Sequence, residues 1–167
     1  MSTPEVTVID YGMGNLLSRQ RGLEHCGAKV ILTTDPEKIL AAKRVVLPGV
    51  GAFEDCIDGL KSKEGLVEEI MNQVKNNKKP FLGICVGMQI LFDYGLEFEK
   101  TEGLGLIAGN VIPLPISSVN GKKLTIPRIG WNPLLFSSHS NSWRGTILEN
   151  NNQLDEVYFI HSFMVNP

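Results

Sequence analysis

The stretch PFLGICVGMQI, residues 80–90, decides how the rest of the chain is read. Phe81-Leu82-Gly83-Ile84 is an apolar run with the length of a buried strand, and it delivers Cys85 between two glycines, Gly83 and Gly87, each two residues away. G-x-C-x-G where a strand meets a predicted helix is the thiol counterpart of the nucleophile elbow, in which small flanking residues let a strained turn close tightly. A helix starting there directs its positive end at the sulfur, which favours thiolate. It also makes the amide of Val86 one donor to an oxyanion. The competing reading of Cys85 is a small buried core residue, the commonest fate of a free thiol. Its position at a strand end, where α/β sheets hold their ligands, favours the nucleophile.

Working outward, short apolar runs alternate with longer segments of helical character. VTVID (6–10), AKVILTT (28–34), RVVLPG (44–49) and PFLGIC (80–85) read as strands. LLSRQRGLEHCG (16–27) reads as a helix closed by Gly27, and DPEKILAAK as one capped by Asp35 with Pro36 at its first position. GLVEEIMNQVKNNKK (65–79) spaces Leu66, Ile70 and Val74 by four, a helical stripe. Nearly all-apolar strands alternating with helices imply a parallel sheet covered on both faces. After residue 100, GLGLIAGNVIPLP, KKLTIPRIGWNPL and EVYFIHSFMV read as strands joined by Pro-, Ser- and Asn-rich connections.

The 167 residues suit one domain with a sizeable core, and 43 % hydrophobic with 20 % charged residues is ordinary for a soluble globular chain. A net charge of −2 gives no reason to expect a nucleic-acid or acidic-membrane surface. No apolar run spans a bilayer, and the start MSTPEVTVID carries no secretory signal pattern. Cys26, Cys56 and Cys85 are far apart, odd in number and without C-x-x-C spacing, so free thiols in a reducing cytoplasm are expected and no metal site. Cys26 and Cys56, inside helical segments, read as core residues. A second glycine-rich turn, LPGVGAF (47–53), has no Lys-Ser/Thr after it and is not a phosphate loop; beside a cysteine elbow its amides could complete an oxyanion hole. DYGMGN (10–15) offers two glycines of a dinucleotide fingerprint but Leu17 where the third belongs.

IDYGMGNL, VLPGVGAF, GICVGMQ, GLGLI, PRIGWN and YFIHSF, in this order, closely resemble the class I (triad) glutamine amidotransferases along essentially the whole chain. Within that family the chain is similar to the glutaminase subunits of imidazole glycerol phosphate synthases. The resemblance implies a three-layer α/β/α, flavodoxin-like fold, with residues 1–167 forming a type 1 amidotransferase domain that is C-terminally incomplete. It implies that Cys85 attacks the side-chain amide of glutamine, forming a glutamyl thioester and releasing ammonia. Gly49, Val50, Gly51 and Val86 would serve the oxyanion. Gln89 and the backbone around His161, Ser162 and Phe163 would hold the substrate. Asn15, Trp131 and Tyr158 match positions that face a synthase subunit, a (β/α)8 barrel forming a heterodimer with this one. That partner would receive ammonia through an internal passage and make imidazole glycerol phosphate for histidine biosynthesis. No cofactor, metal, nucleic acid or membrane is implied, and the setting is cytoplasmic.

The family's thiol is activated by a histidine and a glutamate in a His-Pro-Glu segment. Here His25, His139 and His161 are followed by Cys26, Ser140 and Ser162. The chain as written is therefore expected to be a truncated subunit lacking its activating pair and glutaminase turnover, with a natural short form as the competing reading. Three further alternatives stay open. One is a homologous subunit feeding ammonia to sugar modification in surface-polysaccharide assembly. Another is a non-catalytic docking fragment with Trp131 as its apolar anchor. The last is a cysteine hydrolase or chaperone sharing the G-x-C elbow, against which Gln89, PGVG and GWN argue. Trp131 as a core residue competes with Trp131 as an anchor.

Overall fold

The structure is a computed structural model that describes residues 3–117, 121, 123–137 and 140–167; His139 lies outside the described residues. They group into two compact units, one running to Pro113 and taking in Phe163–Pro167, the other Leu114–Ser162.

The first unit opens with β1 (Glu5–Ile9), α1 (Leu16–His25), β2 (Lys29–Thr33), α2 (Pro36–Ala41), β3 (Val45–Gly49), α3 (Phe53–Lys61), α4 (Leu66–Lys75) and β4 (Phe81–Cys85). Gly27, Asp35 and Pro36 punctuate the helices as expected, and Asn15 adds a cap that the sequence reading did not name. Asn15 caps α1 by accepting from the Ser18 amide at 3.2 Å, and Gly27 closes it at φ +84°, with the Ala28 amide reaching back to Leu23 O at 3.0 Å. Asp35 Oδ1 caps α2 by accepting from the Glu37 amide at 3.0 Å, and Pro36 occupies its first turn.

The four strands pair in parallel in the order β2-β1-β3-β4. This is the flavodoxin-like doubly wound order, in which ligands bind outside the carboxyl ends of the strands, where the winding reverses. Ile9, Val45 and Leu47 face a cluster with Ile39, Ile57, Leu60, Leu66 and Ile70 of α2, α3 and α4. On the opposite face Val6, Val8 and Val46 meet Leu16 and Leu23 of α1. The α1 side is thinner: α1 buries no residue fully, and Leu32 and Leu82 stay partly exposed. Each aliphatic side chain fully buried in the thicker layer stabilises the fold by about 1.5–3 kcal/mol over its exposed state.

The stripe of α4 differs from expectation at its third position. Leu66 and Ile70 are buried, but Gln73 rather than Val74 follows them into the core, its Nε2 donating to Glu69 Oε1. Steps of four residues drift by about 40° per step on a helix, whereas seven residues return to nearly the same face.

After β4 the chain makes one helical turn, α5 (Val86–Gln89), and then leaves the helix for β5 (Phe92–Leu96), β6 (Lys100–Glu102) and β7 (Ile107–Pro113). The reason lies in where the backbone bonds go. The carbonyls of Ile90, Leu91 and Phe92 accept from the amides of Leu104, of Leu106 and Ile107, and of Gly105, so the GLGLI segment takes the bonds a longer helix would have used. Gly103 permits the approach, since a Cβ there would lie 2.1 Å from Phe92 O.

The second unit carries β8 (Arg128–Pro133) and β9 (Glu156–His161), an antiparallel ribbon pairing Ile129 with Ile160 and Trp131 with Tyr158. The expected strand over KKLTIPRIGWNPL starts only at Arg128, after Pro127, whose ring removes an N–H and restricts Ile126. The last strand, β10 (Phe163–Asn166), returns to the first unit and pairs antiparallel with β7, in a second sheet of order β10-β7-β5-β6. Among the described residues no helix is long and apolar enough to cross a membrane.

Candidate active site

The strand of the opening motif ends on Cys85, at φ +57° and ψ −124°. Only three non-glycine residues share a positive φ among those described. Such backbone costs roughly 1–3 kcal/mol and persists only where its surroundings enforce it. Here the enforcement is backbone packed on backbone. A Cβ on Gly83 would lie 2.5 Å from Met88 Cα, and one on Gly87 2.1 Å from Leu47 O. The turn therefore closes only over glycines, and it leaves the Cys85 side chain exposed rather than in the core.

The sheet sets the second glycine turn beside this sulfur. Gly49, at the end of β3, is the register partner of Cys85, and a Cβ on Gly49 would lie 2.3 Å from the Gly87 amide nitrogen. Val50 is partly exposed, and Gly51 turns at φ +94°, a conformation that suits glycine. Val86 occupies the first position of the single helical turn, so any field at the sulfur is that of one turn's free amides rather than of a long helix.

Three contacts hold the Pro48–Phe53 segment from behind. The Tyr11 hydroxyl donates to Pro48 O at 2.7 Å, Cys56 Sγ donates to Val50 O at 3.5 Å, and the Phe53 amide donates to Glu97 Oε2 at 2.7 Å. Tyr11 and Cys56 are buried and touch each other; burial is the main cause that pushes both their pKa values up, so both keep their protons at neutral pH. DYGMGN is thus a packing element. Tyr11 and Met13 lie against Gly59 of α3, where a Cβ would meet each at 3.1 Å.

The family model for class-I glutamine amidotransferases matches residues 7–167. The chain is 48 % identical over 162 residues to "Imidazole glycerol phosphate synthase subunit HisH 1" of Legionella pneumophila strain Lens, covering 97 % of this chain and 75 % of that one. It is 42 % identical over 163 residues to the HisH subunit of Geobacter metallireducens, covering 97 % and 74 %. The chain belongs to the class-I glutamine amidotransferases. A solved structure described as a glutamine amidotransferase superposes at TM-score 0.69 with 15 % identity, over 97 % of this chain and 74 % of that one, a likeness of fold.

Within this amidotransferase the expected site residues distribute as follows. Cys85, Val86, Gly49, Val50 and Gly51 share one end of the parallel sheet. Gln89, last residue of α5, donates through Nε2 to Phe163 O at 3.4 Å, joining two of the expected substrate-holding positions. His161 and Ser162 belong to the second unit. There His161 is the register partner of Arg128, with its ring 5.6 Å from that of Phe159, and Ser162 O accepts from the Leu114 amide at 2.9 Å. Asn15 serves as the cap of α1. Trp131, 64 % exposed, meets Tyr158, 54 % exposed, edge to face at 5.5 Å, which removes the reading of Trp131 as a core residue. Cys56 is buried as read, but Cys26, at the C-cap of α1, is exposed and not a core residue. Tyr11 and Glu97 escaped the sequence reading, because their partners lie 37 and 44 residues away and leave no local pattern. Among the described residues no three His, Cys, Asp or Glu side chains gather to hold a metal ion.

Proposed function

We propose that this amidotransferase domain, residues 1–167, supplies ammonia from glutamine as the glutaminase subunit of an imidazole glycerol phosphate synthase in the cytoplasm. The observation that carries the reading is the left-handed Cys85, exposed and in register with Gly49. Its sulfur attacks the carbonyl carbon of the glutamine side chain. Donors at Val86 and in the Gly49-Val50-Gly51 turn receive the negative charge that develops on oxygen. The proton lost by the thiol ends on the amide nitrogen, the C–N bond breaks, ammonia leaves, and water releases glutamate from the thioester and restores the thiol. Gln89 and the backbone at His161, Ser162 and Phe163 hold the substrate.

The names of the HisH relatives, subunits of imidazole glycerol phosphate synthase, support a second chain as partner. On this reading that partner is a (β/α)8 synthase subunit that takes up the ammonia as a heterodimer. The exposed apolar strip Ile129, Trp131, Tyr158 and Ile160 on one face of the ribbon supports a docking role for Trp131 and Tyr158.

A chloroketone analogue of glutamine, whose chloride a thiolate displaces, tests the site. The comparison is made at pH 9, where hydroxide rather than a protein base removes the thiol proton. The analogue is expected to alkylate Cys85 at least roughly tenfold faster than chloroacetone at equal concentration, a preference that Gln89→Ala reduces. Equal rates for the two reagents would sink the glutaminase reading.

These 167 residues hold no His-Pro-Glu. A polypeptide of these residues alone, mixed with its synthase partner, is expected to hydrolyse glutamine roughly four orders of magnitude more slowly than a HisH relative, the scale on which losing a triad partner acts. Ammonia release at a relative's rate would refute that expectation.

A further inference from the structure

The second sheet carries an irregularity just after the elbow. β5 and β7 run parallel, pairing Phe92 with Ile107 and Tyr94 with Asn110. Between those pairs β7 advances three residues and β5 only two, so β7 holds a bulge at Ala108-Gly109, opposite Asp93. A bulge takes its extra residue out of the ladder, and here the Gly109 amide donates to Asp93 Oδ2 at 3.0 Å. Gly109 stands at φ +119°, and a Cβ on it would lie 2.5 Å from Asn166 O, so glycine is required where β10 passes. Asp93 is itself exposed, so its carboxylate serves the bulge rather than the core.

The extra residue decides which side chains enter the core. Beyond it, Asn110 and Val111 pair with Tyr94 and Gly95 of β5 on one flank and with Asn166 and Val165 of β10 on the other. Val111 lies in the main core with Val165 packed against it. Asn110 Nδ2 donates to the Tyr94 hydroxyl at 2.9 Å, and Asn110 Oδ1 accepts from Asn166 Nδ2 at 3.1 Å. Slipping β7 by one residue would exchange these two rows and turn the asparagine inward. The same register runs on to Phe163, paired with Pro113, and the Phe163 carbonyl accepts from Gln89 Nε2 at 3.4 Å.

We propose that Asp93 is a positioning residue for substrate. By accepting the Gly109 amide it locks the bulge that sets the register of β7 and β10, and so fixes where the Phe163 carbonyl stands against Gln89. This rests on the reading of Gln89 and the Phe163 backbone as groups that hold glutamine. Under it, Asp93 acts on recognition of the substrate and leaves the reactivity of the Cys85 sulfur unchanged.

The chloroketone and chloroacetone rates at Cys85 separate those two effects in the 167-residue chain. Asp93→Ala is expected to lower the ratio of the two rates at least roughly threefold, with the chloroacetone rate itself within about twofold of the original, because only placement of the substrate is lost. Asp93→Asn, whose side-chain oxygen can still accept from the Gly109 amide, is expected to restore the ratio. The Gln89 side-chain amide resonances are expected to move in Asp93→Ala and to return in Asp93→Asn. Ile39→Val, which thins the core at α2, is the control for stability alone; it is expected to lower the unfolding midpoint and keep the ratio. An unchanged ratio in Asp93→Ala overturns the inference, as does a loss that Asp93→Asn fails to restore or that Ile39→Val reproduces. Equal rates for the two reagents in the unaltered chain would instead sink the glutaminase reading. The Gln89 resonances would then still decide whether Asp93 holds the contact, and resonances unmoved by Asp93→Ala would overturn that too.

Discussion

Gly87→Ala is expected to destabilise the chain by about 3 kcal/mol or more, beyond the usual cost of overpacking a core. The new Cβ would lie 2.1 Å from Leu47 O and 2.7 Å from Pro48 C, all backbone atoms of a strand inside the sheet. No side chain can rotate away to relieve the contact. Either α5 lifts from β3 or β3 shifts, and both moves separate Cys85 from Gly49. Against a typical domain stability of about 5–15 kcal/mol, that is a large fraction. Urea unfolding measures it, with Gly22→Ala as the control. Gly22 is exposed on α1 with nothing within 4 Å of a built Cβ, so alanine there is expected to be neutral or to stabilise by up to about 1 kcal/mol. A Gly87→Ala chain within about 1 kcal/mol of the original would show that the elbow does not depend on this approach.

The second large effect is expected at the ribbon. Trp131→Ala should weaken binding to the synthase subunit roughly thirtyfold, about 2 kcal/mol, the scale of an aromatic hot spot. The unfolding midpoint should move little, because Trp131 is mostly exposed and its ring contact with Tyr158 is worth about 0.5–1.5 kcal/mol. Titration calorimetry with the partner, paired with thermal unfolding of the variant alone, separates the two. A lowered midpoint with unchanged affinity would make Trp131 a residue of its own hairpin and nothing more.

The parts of the fold that could be read in the sequence are those governed by neighbours along the chain. Asp35-Pro36 and Gly27 punctuate helices through bonds spanning two to five residues, and the runs at 6–10, 28–34, 44–49 and 80–85 announce buried parallel strands by their unbroken apolarity. The elbow belongs to this class too, since Gly83, Cys85 and Gly87 lie within five residues. What escaped depends on distant partners. The early end of the helix after Cys85 follows from amides at 104–107 taking the carbonyls of residues 90–92, a competition that no local periodicity records. The burial of Gln73 in place of Val74 is a matter of helical phase, which spacing by four misstates. Tyr11 looked like part of an indifferent glycine turn because the carbonyl it serves is 37 residues on. The exposure of Trp131 could not be read from composition, which ranks tryptophan equally well as core or anchor.

The torsion at residue 85 also bears on how a chain like this changes over generations. A φ of +57° is one that glycine adopts freely and cysteine only under compulsion. Selection for a sturdier fold and selection for a reactive sulfur therefore meet on one residue and point in opposite directions. A lineage that no longer needed the chemistry would have an easy relaxation open to it at this position. A lineage that keeps cysteine there must hold the turn shut from outside, through Gly83, Gly87 and Gly49, whose own freedom to vary is forfeited with it.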